Sequence, residues 1–281
     1  MSVTVNGIRI FVEVLGPKLV TKGPRTIERP TVIALHGGPT DHQHMWPMVS
    51  ALTELAQVVL YDHRGCGRSE PGDPALWTLS QWGDDVRGLC AALGIEAPIV
   101  FGHSFGGFVA QSYAIRHPGH AASLILSGTG PRLDVAESVE GFRRRGGDAA
   151  AAAFAAFAAR PDAETVQAFA FHCRHLYSTS RQVDPDVEAR TRTNPDLLFD
   201  FFERESRAFD ASTALAGVTS PVLILGGDED PITPPGYQDA LEAALTRAPV
   251  RRIRFPGAGH ALATDAPAPL AAALGAWVWA S

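Results

Sequence analysis

The sequence predicts an α/β protein with a mostly parallel central sheet flanked by helices. Three observations carry that expectation. Short apolar runs rich in β-branched residues recur along the chain, and several stop at glycine-rich loops, as in "TVIALHGG" (Thr31 to Gly38) and "APIVFGHS" (Ala97 to Ser104). Between them lie stretches with helical spacing. Buried strands alternating with helices imply parallel strands covered on both faces. Third, a single helical block interrupts the alternation, which resumes after it as "PVLILGGDEDP" (Pro221 to Pro231).

The elements follow in order. The alternation of Val3, Val5, Ile8, Ile10 and Val12 predicts a hairpin over Val3 to Leu15, turned at Asn6-Gly7. The stretch "KLVTKGPRTIERP" reads as a loop. Buried strands follow in "TVIALHGG" and "AQVVLYDHRGCGRS", each ending in a glycine-rich turn. Trp82, Val86, Leu89 and Leu93 give helical spacing over Thr78 to Leu93, and "TLSQW" supplies a start signal. "APIVFGHS" is the next strand, "FGGFVAQSYAIRHPG" a helix stopped at Pro118-Gly119, and "ASLILSGTGP" a further strand. Gly141 to Asp210 reads as helical, its alanine-rich part "GGDAAAAAFAAFAARPD" forming a small-faced helix. A helix over Gly236 to Ala248, the strand "VRRIRFPG" and a final helix over Ala266 to Trp279 complete the pattern. The expected organisation is a core from 1–130 and 212–281, with a helical cap at 131–211.

Several functional classes are disfavoured. The chain of 281 residues has a net charge of −6, whereas a nucleic-acid surface needs a concentrated basic excess. The one basic cluster, "FRRRGG" (Phe142 to Gly147), is short and reads as a solvated helix end. Cys66, Cys90 and Cys173 lack metal-ligand spacing and suit a reducing compartment. The N-terminal segment reads as strand rather than signal peptide, and no apolar run has the length of a membrane helix. A cytoplasmic protein without cofactor or metal is expected, acting on a small-molecule or short-peptide substrate, with no nucleic-acid or membrane partner.

The chemistry centres on Gly102-His103-Ser104-Phe105-Gly106, a G-x-S-x-G pattern between a strand and a helix. A sharp turn there exposes the serine hydroxyl above a helix N-terminus. The next backbone N–H, that of Phe105, then points toward a developing oxyanion. A serine needs a base, and the base needs an orienting acid. His260 follows the last strand in "FPGAGHALATDAP", where it can reach the carboxyl ends of a parallel sheet. Between serine and histidine, "LILGGDEDPITP" offers Asp228, Glu229 and Asp230 past a strand end. Asp230, closed by Pro231, is preferred over Asp228. The second oxyanion donor is sought in "HGGPT" (His36 to Thr40), with Gly38 chosen and Gly37 the near alternative.

Together, "LHGGPT", "YDHRGCGRSEP", "GHSFGG", "GGDEDPITP" and "GAGH" resemble an α/β-hydrolase fold enzyme with a serine nucleophile. More narrowly, the chain resembles the prolyl iminopeptidases and the tricorn-interacting aminopeptidase. It departs from that group at Thr40, where the family usually has glycine, and at His63, His103 and Phe105. The resemblance implies an aminopeptidase or amino-acid amidase preferring small or prolyl N-terminal residues. It also implies cap glutamates that bind a free amino group, for which Glu203 and Glu205 are the candidates. The alternatives are an esterase or lactonase with an apolar cap pocket drawn from Phe154, Phe157, Phe169, Phe171, Phe199 and Phe202, and, more remotely, a non-catalytic receptor.

Overall fold

The computed structural model describes residues 1–180 and 185–280. Its main sheet has eight strands in the order β1-β2-β6-β5-β7-β8-β9-β10. These are β1 (Ser2–Val5), β2 (Ile8–Leu15), β5 (Thr31–Leu35), β6 (Gln57–Tyr61), β7 (Ile99–His103), β8 (Ser123–Ser127), β9 (Val222–Gly227) and β10 (Val250–Phe255). From β6 to β10 every pairing is parallel; β1 and β2 add an antiparallel edge. Asn6 and Gly7 both take positive φ in the β1–β2 turn, as the Asn-Gly pair predicts.

Lys18 to Pro30, read as a loop, instead holds a second hairpin of β3 (Leu19–Lys22) and β4 (Arg25–Glu28). Its turn is Gly23-Pro24, with Gly23 at φ +59°. Neither strand has a buried residue, so no face imposes an alternation that the sequence could display.

The longer helices are α1 (Leu79–Leu93), α2 (Phe105–Arg116), α3 (Val135–Ala159), α4 (Ala163–His172), α5 (Pro185–Arg190), α6 (Pro195–Asp200), α7 (Pro235–Ala244) and α8 (Pro267–Ala280). Thr78 caps α1 by accepting the Gln81 N–H, and α1 stops at left-handed Gly94.

Side chains alternate across a strand, so a sheet covered twice must be apolar on both phases. Ile33, Leu35, Val100 and Ile224 join Trp82, Val86, Phe108 and Tyr113 in one core layer. Ala34, Phe101, Leu223 and Leu225 join Met48, Leu262, Leu270 and Leu274 in the other. This is why these strands appear as unbroken apolar runs.

Between β8 and β9 the described residues form helices joined by loops, with no strand beyond an isolated bridge between Arg132 and Asp210. The long α3 breaks at Gly147, whose φ is +74°. Phe142, Phe154, Phe157, Cys173 and Leu176 form a separate buried cluster in this block, with Phe169 and Phe202 packed against it. Phe171 is exposed. Among the described residues, no helix is long and apolar enough to cross a membrane, and all three cysteines are free and buried.

Candidate active site

Register brings the site together. Leu35 pairs with Gly102, His103 with Ser127, Ser127 with Leu225, and Gly227 with Phe255. The carboxyl ends of five strands therefore lie along one sheet edge, and the loops leaving them carry 36–40, Ser104, Gly128, 228–230 and 256–260.

Ser104 sits at the turn from β7 into α2 with φ +54° and ψ −119°. For a residue with a side chain this is a costly conformation, sustained only where the surroundings enforce it. They do: the Ser104 N–H donates to the Ser127 carbonyl at 2.8 Å, and its own carbonyl accepts from the Gly107 N–H. The flanking glycines are needed sterically. A methyl on Gly102 would collide with the Gly106 carbonyl, and one on Gly106 with the Leu35 carbonyl. The turn leaves the serine half-buried at the start of α2, where Phe105 is the first helical residue. First-turn N–H groups have no partner within a helix, and the helix end carries partial positive charge.

His260 and Asp230 meet beside it. Asp230 Oδ2 lies 2.7 Å from His260 Nδ1, and both side chains are buried. The carboxylate is saturated with donors. Oδ1 accepts the N–H groups of Ile232 and Thr233 at 2.9 Å each, and Oδ2 also accepts the Thr233 hydroxyl at 2.6 Å. Asp228 is exposed. The His260 ring lies 4.9 Å from the ring of His103, and a methyl on Gly128 would sit 3.0 Å from its Cε1. It is thus packed against His103, which precedes Ser104, and against Gly128, which follows the Ser127 carbonyl that the Ser104 N–H donates to. Among the described residues no hydrogen bond joins the Ser104 hydroxyl to His260; such contacts are commonly loose without substrate and tighten in the complex. Burial, and the nearby His260 and His44, hold the His103 imidazole well below its usual pKa, so it stays neutral.

The Gly37 backbone passes close to the serine: a methyl there would sit 3.1 Å from Ser104 Cβ. Gly38 follows with φ +48°. The far side of this loop is pinned by the helical block between β8 and β9. The Asn194 N–H donates to the Pro39 carbonyl at 3.2 Å and its side-chain amide to the Gly65 carbonyl at 2.7 Å, while the Arg192 N–H reaches Asp41 at 3.0 Å.

Of the two cap glutamates, Glu203 is exposed. The Glu205 carboxylate accepts the Leu79 N–H at 2.8 Å, satisfying the first turn of α1. That is an occupation the sequence did not suggest. Phe154 and Phe157 are packed within the cap cluster rather than lining a surface.

Three further residues went unnoticed in the sequence. Thr233 braces Asp230, and the Asp-x-x-Thr spacing was a signal, since such pairs close local turns. Tyr177 places its ring edge-on to His260 at 5.1 Å, and burial with the Asp230 charge holds its phenol protonated. Asp265 binds the histidine loop to the segment that follows Tyr177. It accepts the Gly259 N–H at 2.8 Å, the Ser178 hydroxyl at 2.5 Å, and the N–H groups of Thr179 and Ser180 at 3.0 and 3.1 Å.

Burial raises the pKa of Asp265, but the Ser178, Gly259, Thr179 and Ser180 donors outweigh it, and the net shift is downward. A lowered carboxylate stabilises the fold above its unfolded pKa, and that contribution is lost as pH falls through the folded value. Asp265→Asn turns an amide N–H toward donors and should lower stability at pH 7 by about 1–3 kcal/mol. Denaturant melts of wild type and variant should converge as pH drops below about 4. A gap that is constant with pH would show that the charge is not what stabilises this junction.

Comparison with known proteins adds the following. Residues 30–267 match the family described as alpha/beta hydrolase fold. The proline iminopeptidase PfmaB of Pestalotiopsis fici is 30% identical over 239 residues, covering 80% of this chain and 84% of that protein. The crystal structure of a proline iminopeptidase from Mycobacterium smegmatis superposes with a TM-score of 0.77 at 24% identity, covering 99% of this chain and 97% of that one. Est816, described as an N-acyl homoserine lactone degrading enzyme, gives a TM-score of 0.74 at 21% identity, covering 99% and 100%. At these identities the two structural matches are likenesses of fold.

Proposed function

Since the chain belongs to the alpha/beta hydrolase fold family, we propose that it is a serine hydrolase cleaving an acyl bond through an acyl-enzyme. One observation supports this reading above others: a buried His260–Asp230 pair lies beside a serine held at φ +54° on a helix N-terminus. Ser104 Oγ attacks the carbonyl carbon while its proton passes to His260 Nε2. Asp230 holds Nδ1–H and stabilises the imidazolium that forms. The N–H groups of Phe105 and Gly38 receive the oxyanion. Collapse of the tetrahedral intermediate breaks the bond to the leaving group, which takes the proton from His260. Water, deprotonated by the same histidine, then attacks the acyl carbon and releases acid and free Ser104.

For the substrate we propose a short peptide or amino-acid amide with a small or prolyl N-terminal residue, supported by the 30% identity to a proline iminopeptidase. A second reading, an esterase or lactonase, is favoured by one feature. The Glu205 carboxylate already accepts the Leu79 N–H, a structural role that does not depend on a substrate amine.

A panel of prolyl arylamide, short-chain aryl esters and lactones separates the two. The aminopeptidase reading expects arylamide turnover that weakens when the substrate amine is acylated. Ester or lactone turnover with none on arylamides would move the assignment to the second reading. Absence of both turnover and fluorophosphonate labelling would favour a non-catalytic receptor.

A further inference from the structure

The loop that precedes the nucleophile contains a lock on one peptide plane. The Gly37 carbonyl accepts the Thr40 hydroxyl at 3.0 Å and lies 3.1 Å from His36 Nδ1. The tautomer of His36 follows from its other nitrogen. Nε2 faces the His63 backbone N–H at 3.1 Å, which can only donate. Nε2 is therefore the acceptor, and the proton sits on Nδ1, aimed at the Gly37 oxygen. The His36 ring is buried and packs 4.2 Å from the His63 ring. Burial lowers its pKa to about 4, so it keeps this single-proton form through the neutral range.

All peptide bonds described are trans, and in a trans peptide the N–H points opposite to the preceding C=O. With the Gly37 oxygen turned onto Thr40 and His36, the Gly38 N–H is turned the other way. Two consecutive glycines offer little resistance to a flip of the peptide between them. A flipped peptide would face the oxyanion with a carbonyl oxygen, replacing attraction by repulsion.

We infer that Thr40 is a positioning residue: its hydroxyl, acting with the Nδ1–H of His36, holds the Gly37–Gly38 peptide with the Gly38 N–H presented to the oxyanion. The inference rests on the serine-hydrolase reading above. In this chain a side chain thus does work that the position's more usual glycine could not do.

The test uses the full-length protein, with Thr40→Val, which keeps the shape and removes the donor, and Thr40→Ser, which keeps the donor. The primary readout is the rate constant for phosphonylation of Ser104 by a fluorophosphonate at saturation, since the phosphoryl oxygen occupies the oxyanion position whatever the natural substrate. Losing an oxyanion donor outright costs about 10²–10³-fold. Because His36 still holds the carbonyl, Thr40→Val should slow labelling about tenfold, a part of that full loss. Reagent affinity should stay within about twofold, and Thr40→Ser should label at close to the wild-type rate. On any turned-over substrate the same loss should appear in kcat and not in KM. Thr40→Ala is read in the same way if the valine variant does not fold. A Thr40→Val or Thr40→Ala protein that labels at the wild-type rate overturns the inference, as does a Thr40→Ser protein as slow as the valine variant. Failure of the underlying reading looks different: wild type itself would label at a residue other than Ser104.

Discussion

Ser104→Ala abolishes turnover, lowering kcat by about four to six orders of magnitude, with the fold retained. The effect is large because no other group described beside the site offers a nucleophile at the turn between β7 and α2. The residual rate comes from the oxyanion donors and substrate binding alone. Stability should change little. The serine hydroxyl makes no hydrogen bond among the described residues, and alanine suffers the same positive φ that serine already tolerates. The measurement pairs steady-state kinetics with a thermal melt and intact-mass detection of fluorophosphonate labelling. A folded alanine variant with wild-type kcat would remove Ser104 from the mechanism.

Asp230→Asn lowers kcat by about 10⁴-fold through the tautomer of His260. On the Oδ1 side, the N–H groups of Ile232 and Thr233 both donate, so the asparagine oxygen must stay there. The amide nitrogen is then forced to face His260 Nδ1. A ring nitrogen that receives an N–H cannot carry a proton, so the proton moves to Nε2. His260 can then no longer take the proton of Ser104. Asp228→Asn is the control, because Asp228 is exposed. Its kcat should match wild type. Equal losses from the two variants would return Asp228 to the mechanism and defeat the assignment of Asp230.

Both predictions use residues that the sequence already singled out, for a physical reason. A strand-to-helix turn tight enough to expose a hydroxyl needs glycine where Cβ atoms would strike backbone, and the collisions a methyl would make at Gly102 and Gly106 are of that kind. The requirement is local, so it is written locally. The parallel sheet was legible for a similar reason. Strands buried on two faces must be apolar on both phases, and 32–35, 99–101 and 222–225 show that directly.

What escaped the sequence is what depends on a partner far along the chain. Glu205 could be seen as an acid on a cap helix, but its bond to the Leu79 N–H spans 126 residues. The exposed hairpin of β3 and β4 buries nothing, and so leaves no periodic mark.

The sequence by itself therefore determined the fold class, the order of its buried elements and the residues offered for chemistry, because burial and tight turns impose their demands on adjacent residues. Only the tertiary structure decided which offer was taken up. It set Asp230 rather than Asp228 against His260, placed Tyr177 edge-on to that ring, tied the histidine loop to the helical block through Asp265, and turned the Gly37 carbonyl onto Thr40 and His36. Each of these is a matter of direction in space, set by strand register and by contacts between distant segments, and a one-dimensional pattern carries no vector.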